Sequence, residues 1–225
     1  MRAPDLGGKV VVVTGAGGRL GRVLVRQLLE VGARVAGLDL VPASDLPEGA
    51  LALGADLGSE DEVVDAFARI GRSLGPADAL VHTVGMWAGK PLARTTADDW
   101  ETMLHVNLTS AFLCFREAAR AMQGRGGRLV GIASRQGADR GAAEQAAYSA
   151  SKAGVMRLVE AVAAEYDGTG ITAAAVAPST ILFGGEGDDA KGVSVEDVAA
   201  LCVYLCGPGG AVHNGAVLRA YGTAL

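Results

Sequence analysis

The chain has 225 residues, half of them hydrophobic and only 4% aromatic, so its core must be built from Ala, Val and Leu. That much apolar surface excludes a disordered chain, which cannot bury enough to offset its ordering entropy. The formal charge of −5, from 20 basic and 25 acidic residues, lacks the basic footprint of an electrostatic nucleic-acid binder and offers no attraction to anionic membranes.

In chain order, "KVVVVTG" is a β-branched run that stops at glycine, which predicts a buried strand over 9–14. "RLGRVLVRQLLEVG" places Leu20, Val23, Leu24, Leu28 and Val31 at helical spacing and ends at Gly32. "ARVAGLDL" and "GALALGADL" read as the second and third strands. Ser59 then opens a helix whose first turn is acidic, as the helix dipole favours. "ADALVHTVG" is a fourth strand, and "TADDWETMLHVNLTSAFLCFREAARAMQ" reads as one long helix. "GGRLVGIAS", "AAYSASKAGVMRLVEAVAAEYDG" and "ITAAAVAPS" give strand, long helix, strand, followed by the helix "SVEDVAALCVYLCG" and a last strand in "GAVLRAYG". This alternation of apolar strands and amphipathic helices predicts one α/β domain over 1–225: a Rossmann-type, doubly wound, mostly parallel seven-stranded sheet with helices on both faces. The glycine-rich stretch 183–192 is the segment expected to be most mobile.

Cys114, Cys202 and Cys206 are an odd, sparse set, which predicts a reducing, cytoplasmic setting without a disulfide framework. Cys202 and Cys206 fit core packing, and His82, His105 and His213 form no ligand pattern, so no metal is expected. The N-terminus does not read as a signal peptide, and no apolar stretch reaches the length of a membrane span.

"TGAGGRLG" follows the first strand directly, with Gly15, Gly18 and Gly21 spaced by three. Such glycines allow a tight turn, close approach of the backbone to a pyrophosphate, and packing of the helix on the sheet; the helix start adds free amides. No Gly-Lys-Ser/Thr follows, which excludes a Walker-type phosphate loop. Asp39 ends the second strand, where an acid binds adenosine ribose hydroxyls and repels a 2′-phosphate. NAD(H) is therefore favoured, with NADP(H) kept open by Arg19 and Arg22. In "YSASK", Tyr148 and Lys152 lie four apart on one helical face. The pair fits either an ordinary polar surface or a tyrosine acid/base beside a lysine.

Taken together, the glycine turn, Asp56–Leu57 in "ADL", Asn107 in "HVNLTSAF", Ser134 in "GIAS" and "YSASK" resemble the short-chain dehydrogenase/reductase family over essentially the whole chain. The resemblance implies hydride transfer between a nicotinamide and a carbonyl, alcohol or related C=N or quinonoid substrate, small or carrier-bound. It implies that Tyr148 is the acid/base, its phenol lowered by Lys152 and the nicotinamide charge. Ser134 would steady the substrate oxygen, Lys152 would bind the nicotinamide ribose, and Asn107 would hold a relay water. Cofactor contacts are implied for Gly15, Gly18, Arg19, Leu20, Gly21, Asp39, Asp56, Leu57, Gly85, Pro178 and Thr180. The two long helices resemble those that build the family's dimer and tetramer interfaces, so a homodimer or homotetramer is expected. A non-redox isomerase, dehydratase or lyase on the same site is the alternative. A non-catalytic dinucleotide binder is a third reading, disfavoured because it would not need Ser134, Tyr148 and Lys152.

The chain also departs from the family pattern. Arg19 stands where the glycine turn usually has glycine, and "HTVG" replaces Asn-Asn-Ala-Gly after the fourth strand, losing asparagine hydrogen bonds that support the sheet. About one extra residue separates Ser134 from Tyr148, and Pro178-Ser179 replaces Pro-Gly. The substrate segment, 180–193, is short, which implies an open cleft, a large substrate or a lid from a neighbouring subunit. "VGMWAGKPL" is locally similar to dihydropteridine reductases, compact members of the family, and would set Trp87 beside a planar substrate.

Overall fold

The four valines that open β1 (Val10–Thr14) leave no residue of that strand exposed, because the strand lies mid-sheet with helices on both faces. The computed structural model describes residues 4–187 and 189–224; Asp188, in the expected 180–193 loop, lies outside the described residues. Around β1 the chain adds β2 (Arg34–Asp39), β3 (Leu51–Gly54), β4 (Ala79–His82), β5 (Gly127–Ile132), β6 (Ile171–Pro178) and a strand at Val217–Ala220, which becomes β9 once two short strands are counted. Their order is β3-β2-β1-β4-β5-β6-β9, all parallel. The order reverses between β1 and β4, which opens a crevice above their carboxyl ends, where open α/β sheets bind ligands.

Helices α1 (Arg19–Glu30) and α7 (Val195–Cys206) cover one face, burying Leu24, Leu28, Val198 and Cys202 against Val11, Val13 and Val35. Helices α2 (Glu60–Leu74), α4 (Ser110–Met122) and α6 (Ala146–Glu165) cover the other, where Phe115, Met122 and Val159 meet Leu80 and Leu129. Ser59 does stand at the start of α2, but its side chain makes no capping bond. Glu62 reaches back instead, accepting from the amide of Asp56 at 2.8 Å.

The long helix expected over "TADDW…RAMQ" is not continuous. It runs as α3 (Ala97–Leu104), widens into a π turn at His105–Thr109, and resumes as α4. Thr96 and Asp99 form a reciprocal capping box at its start. The π turn holds Asn107, and such insertions recur at functional sites.

Two further differences lie in the loops. After Ser134 the chain makes a one-turn helix, α5 (Arg135–Ala138), within the segment that carries the extra residue. The segment expected to be mobile has a pinned base: β7 (Ile181–Leu182) and β8 (Val193–Ser194) form a two-residue parallel ladder, and Val193 N–H donates to Thr180 O at 2.9 Å. The physical cause is the short span, which brings its own ends together beside the last strand.

Candidate active site

The glycine turn is built by contact. A Cβ on Gly21 would lie 2.0 Å from the carbonyl oxygen of Gly15, so no other residue lets α1 fold back so closely on β1. Gly18 caps α1 without any side-chain bond, so the first-turn amides stay open to a ligand. Asp39, at the end of β2, accepts from Gly17 N–H at 3.0 Å and from Leu40 N–H at 2.8 Å, tying the turn to the strand.

A cavity of about 450 Å³ opens beside this turn, lined by Leu20, Gly85, Ser134, Tyr148, Lys152 and Phe183 among others. Pro178 and Thr180 also line it, as do Trp87 and Gln136. The cavity therefore brings together Leu20, Gly85, Ser134, Tyr148, Lys152, Pro178 and Thr180 of the residues singled out from sequence, with the glycine turn beside it. Asp56 and Leu57 stand apart: the Asp56 carboxylate turns to Gly58 N–H at 2.9 Å, and Leu57 is buried in the core. Arg22 also faces elsewhere, donating to Gly17 O at 2.6 Å and pairing with Asp45. A second cavity, of about 230 Å³, adjoins through Met86 and carries the Lys90–Asp99 ion pair.

Lys152 sits in the second turn of α6, buried, with its Nζ donating to Ile132 O at 2.9 Å. Burial lowers its pKa from 10.5 to about 8. Gly85 is glycine for room: a Cβ there would come within 2.9 Å of Lys152 Nζ and 3.1 Å of Asn107 Oδ1. Asn107 is fully buried. Its Oδ1 accepts from Met86 N–H at 2.7 Å, and its Nδ2 donates to Met86 O at 3.0 Å and Ser151 Oγ at 2.9 Å. The π turn thus locks the β4–α3 loop to α6.

Ser134 caps α5 from extended backbone, and its Oγ donates to Gln136 Oε1 at 2.6 Å. The Tyr148 phenol lies on the same cleft. Burial raises its pKa, and the Ser134 hydroxyl acts in the opposite, lesser direction. The sequence expectation is a phenol lowered by Lys152 together with the nicotinamide charge; of the protein's own contributions, burial acts first and Lys152 is not among the causes. The Lys152 ammonium is directed at Ile132 O.

The lost asparagines of the "HTVG" segment are replaced by a buried chain of hydrogen bonds. The Ser110 hydroxyl donates to Val106 O at 2.6 Å, so the contact at 3.2 Å between Ser110 Oγ and His82 Nε2 must have histidine as donor. His82 Nδ1 then accepts from Thr14 Oγ1 at 3.0 Å, and Thr14 Oγ1 accepts from Thr83 N–H at 3.1 Å. This neutral tautomer agrees with a His82 pKa lowered to about 3, first by burial and then by Lys152. Sequence reasoning found no ligand pattern for His82 but did not reach this network, and it missed Gln136 and Phe183. A lone Gln or Phe in a loop carries no periodic or spacing signal.

Among the described residues no group of His, Cys, Asp and Glu could hold a metal ion, and no helix is long and apolar enough to cross a membrane. All three cysteines are free and buried.

Comparison with known proteins places this architecture. The family model for short chain dehydrogenase matches residues 9–186. A short-chain type dehydrogenase/reductase of Picea abies is 34% identical over 251 residues, covering 96% of this chain and 92% of its own. An NADPH-dependent aldehyde reductase-like chloroplastic protein of Arabidopsis thaliana is 31% identical over 255 residues, covering 96% and 94%. The crystal structure of a dehydrogenase/reductase from Sinorhizobium meliloti superposes with a TM-score of 0.89 at 29% identity, covering 98% of this chain and 96% of the other. The chain belongs to the short-chain dehydrogenase/reductase family and is an oxidoreductase of that family.

Proposed function

We propose that the whole chain acts as one dinucleotide-binding catalytic domain that transfers hydride between NAD(H) and a carbonyl/alcohol pair. The observation that carries this reading is the meeting of Ser134, Tyr148 and Lys152 in one cleft beside an uncapped helix start. The glycine turn and open amides fit a dinucleotide, with Asp39 at the ribose, Gly85 and Lys152 at the nicotinamide side, and Pro178 and Thr180 along the cleft wall. A bound nicotinamide supplies or accepts the hydride.

The protein's part is proton transfer and orientation. In the reductive direction, the Tyr148 hydroxyl protonates the substrate oxygen as negative charge develops on it. Ser134 donates a hydrogen bond to the same oxygen, which requires its hydroxyl to leave Gln136 Oε1. Lys152 stabilises the resulting phenolate. Asn107 holds the Met86 loop and Ser151 in register, and a water relay from Lys152 is the further role assigned to this corner. The short 180–193 segment leaves the cleft to a small or carrier-bound substrate. Self-association through α4 and α6 fits Phe112 of α4, which is 46% exposed.

On this reading NADH is favoured over NADPH: Asp39 ends β2 tied to the glycine turn, where a carboxylate would repel a 2′-phosphate, while Arg22 is engaged by Asp45. The Arabidopsis relative, named for NADPH, makes this a real choice. Titration of the protein with both reduced dinucleotides, followed by fluorescence, is expected to give an NADH affinity at least about tenfold tighter, the effect of one unfavourable charge contact. Equal or tighter NADPH binding would overturn the Asp39 argument. Binding of neither would overturn the dinucleotide reading.

A further inference from the structure

Arg19 is the first residue of α1, in the glycine turn. Its guanidinium lies 3.7 Å from the ring centroid of Phe183. Phe183 follows β7 by one residue and lines the same cavity as Leu20. The base of its loop is fixed by the β7–β8 ladder and by Gly192 N–H donating to Thr223 Oγ1 at 3.2 Å. Phe183 N–H is held by Glu186 Oε1 at 3.0 Å. An aromatic ring on a loop with a pinned base thus meets a cation at the helix start.

The chemistry of this contact is directional. A guanidinium stacks through its face but donates hydrogen bonds through its edge. The Phe183 ring takes the face and leaves the edge for a bidentate acceptor, such as two oxygens of a phosphate. Arg19 makes no direct ion pair among the described residues, although, after the amide of Phe183, it helps hold the nearby Glu186 carboxyl below its usual range; Arg22 is engaged directly by Asp45. The open amides that follow Gly18 belong to the same turn.

We propose that Arg19 and Phe183 form a diphosphate clamp: the ring fixes the guanidinium plane, and the guanidinium edge binds the phosphate oxygens of the dinucleotide. The clamp rests on the dinucleotide reading and adds a side-chain cation to a turn that otherwise offers backbone amides. It also gives the shortened 180–193 segment a task at the cofactor.

The test is calorimetric titration with ADP-ribose, which carries the diphosphate, and with adenosine, which lacks it. Arg19→Ala is expected to weaken ADP-ribose about tenfold or more, as loss of a charged hydrogen-bond donor does, and to leave adenosine unchanged. The same variant should bind ADP-ribose with a shallower salt dependence. Phe183→Leu keeps an apolar side chain but no ring face, and should weaken ADP-ribose about threefold, in the range of an exposed cation–π contact. Combined with Arg19→Ala it should add nothing, because the two residues act as a unit. Unchanged ADP-ribose affinity in Arg19→Ala, or an equal loss for adenosine, would overturn the clamp while wild-type binding stands. If the wild-type protein bound neither NADH nor ADP-ribose, the dinucleotide reading itself would fall.

Discussion

The floor of the cleft and its rim are held by different physics. On the floor, Asn107, Ser151, Lys152, His82 and Thr14 are all buried, and each polar side chain has a protein partner. On the rim, Trp87 is 61% exposed, and Arg19 meets Phe183 through a single stacked contact. A buried, satisfied network is costly to disturb because any orphaned partner bears its full desolvation penalty. A rim side chain is free to change with little effect on folding. In the proposed reaction the floor would fix which protons move, and the rim what is held above them.

Tyr148 stands between the two regions, and its loss gives the largest effect. Tyr148→Phe is expected to lower turnover by about a thousandfold, the middle of the range for general acid/base groups. NADH affinity should change less than about twofold, since the phenyl ring keeps its packing. Measured together, turnover and titration separate a proton donor from a wall of the cofactor site. Equal losses in both would break the division between floor chemistry and rim binding.

His82 sharpens the comparison through pH. Its pKa falls from 6.5 to about 3 on folding, so between those values the unfolded chain holds a proton that the folded chain does not. Its contribution to stability is complete above pH 6.5 and is lost as pH falls toward 3. The slope is about 1.4 kcal/mol per pH unit within that window. His82→Leu should cost about 1–3 kcal/mol at pH 7.5 by leaving Thr14 and Ser110 short of a partner. In urea denaturation the gap to wild type should narrow steadily from pH 6.5 to pH 4.5. A gap that stays constant would mean that His82 is not held neutral.

The smallest effect is expected on the rim. Trp87→Ala should change unfolding free energy by less than about 0.5 kcal/mol, as exposed substitutions usually do. Thermal denaturation checks this directly, and a large drop would show that Trp87 supports the fold and does not border the substrate.

Much of this protein was legible in the chain itself. Val10 to Val13 specify a strand buried on both faces, and the strand–helix alternation specifies a parallel sheet, because local periodicity records which sides of each element meet the core. The glycine turn was legible because Gly21 leaves no space for a side chain, a constraint that only one residue type satisfies. Tyr148 and Lys152 were legible through their helical spacing.

What only tertiary structure decided are contacts between segments far apart in sequence. The break of the long helix into a π turn places Asn107 against Met86 and Ser151, which no helical periodicity encodes. Thr14, His82 and Ser110 became a network because β1, β4 and α4 meet there, and each residue alone is an unremarkable polar group. The direction of the Tyr148 shift followed from burial, which depends on everything packed around the ring. Phe183 reached Arg19 because the ends of a short loop pair beside the last strand. Sequence spacing records neighbours along one helix or strand; the environment of a titrating group or a cation is set by neighbours that only the fold assembles.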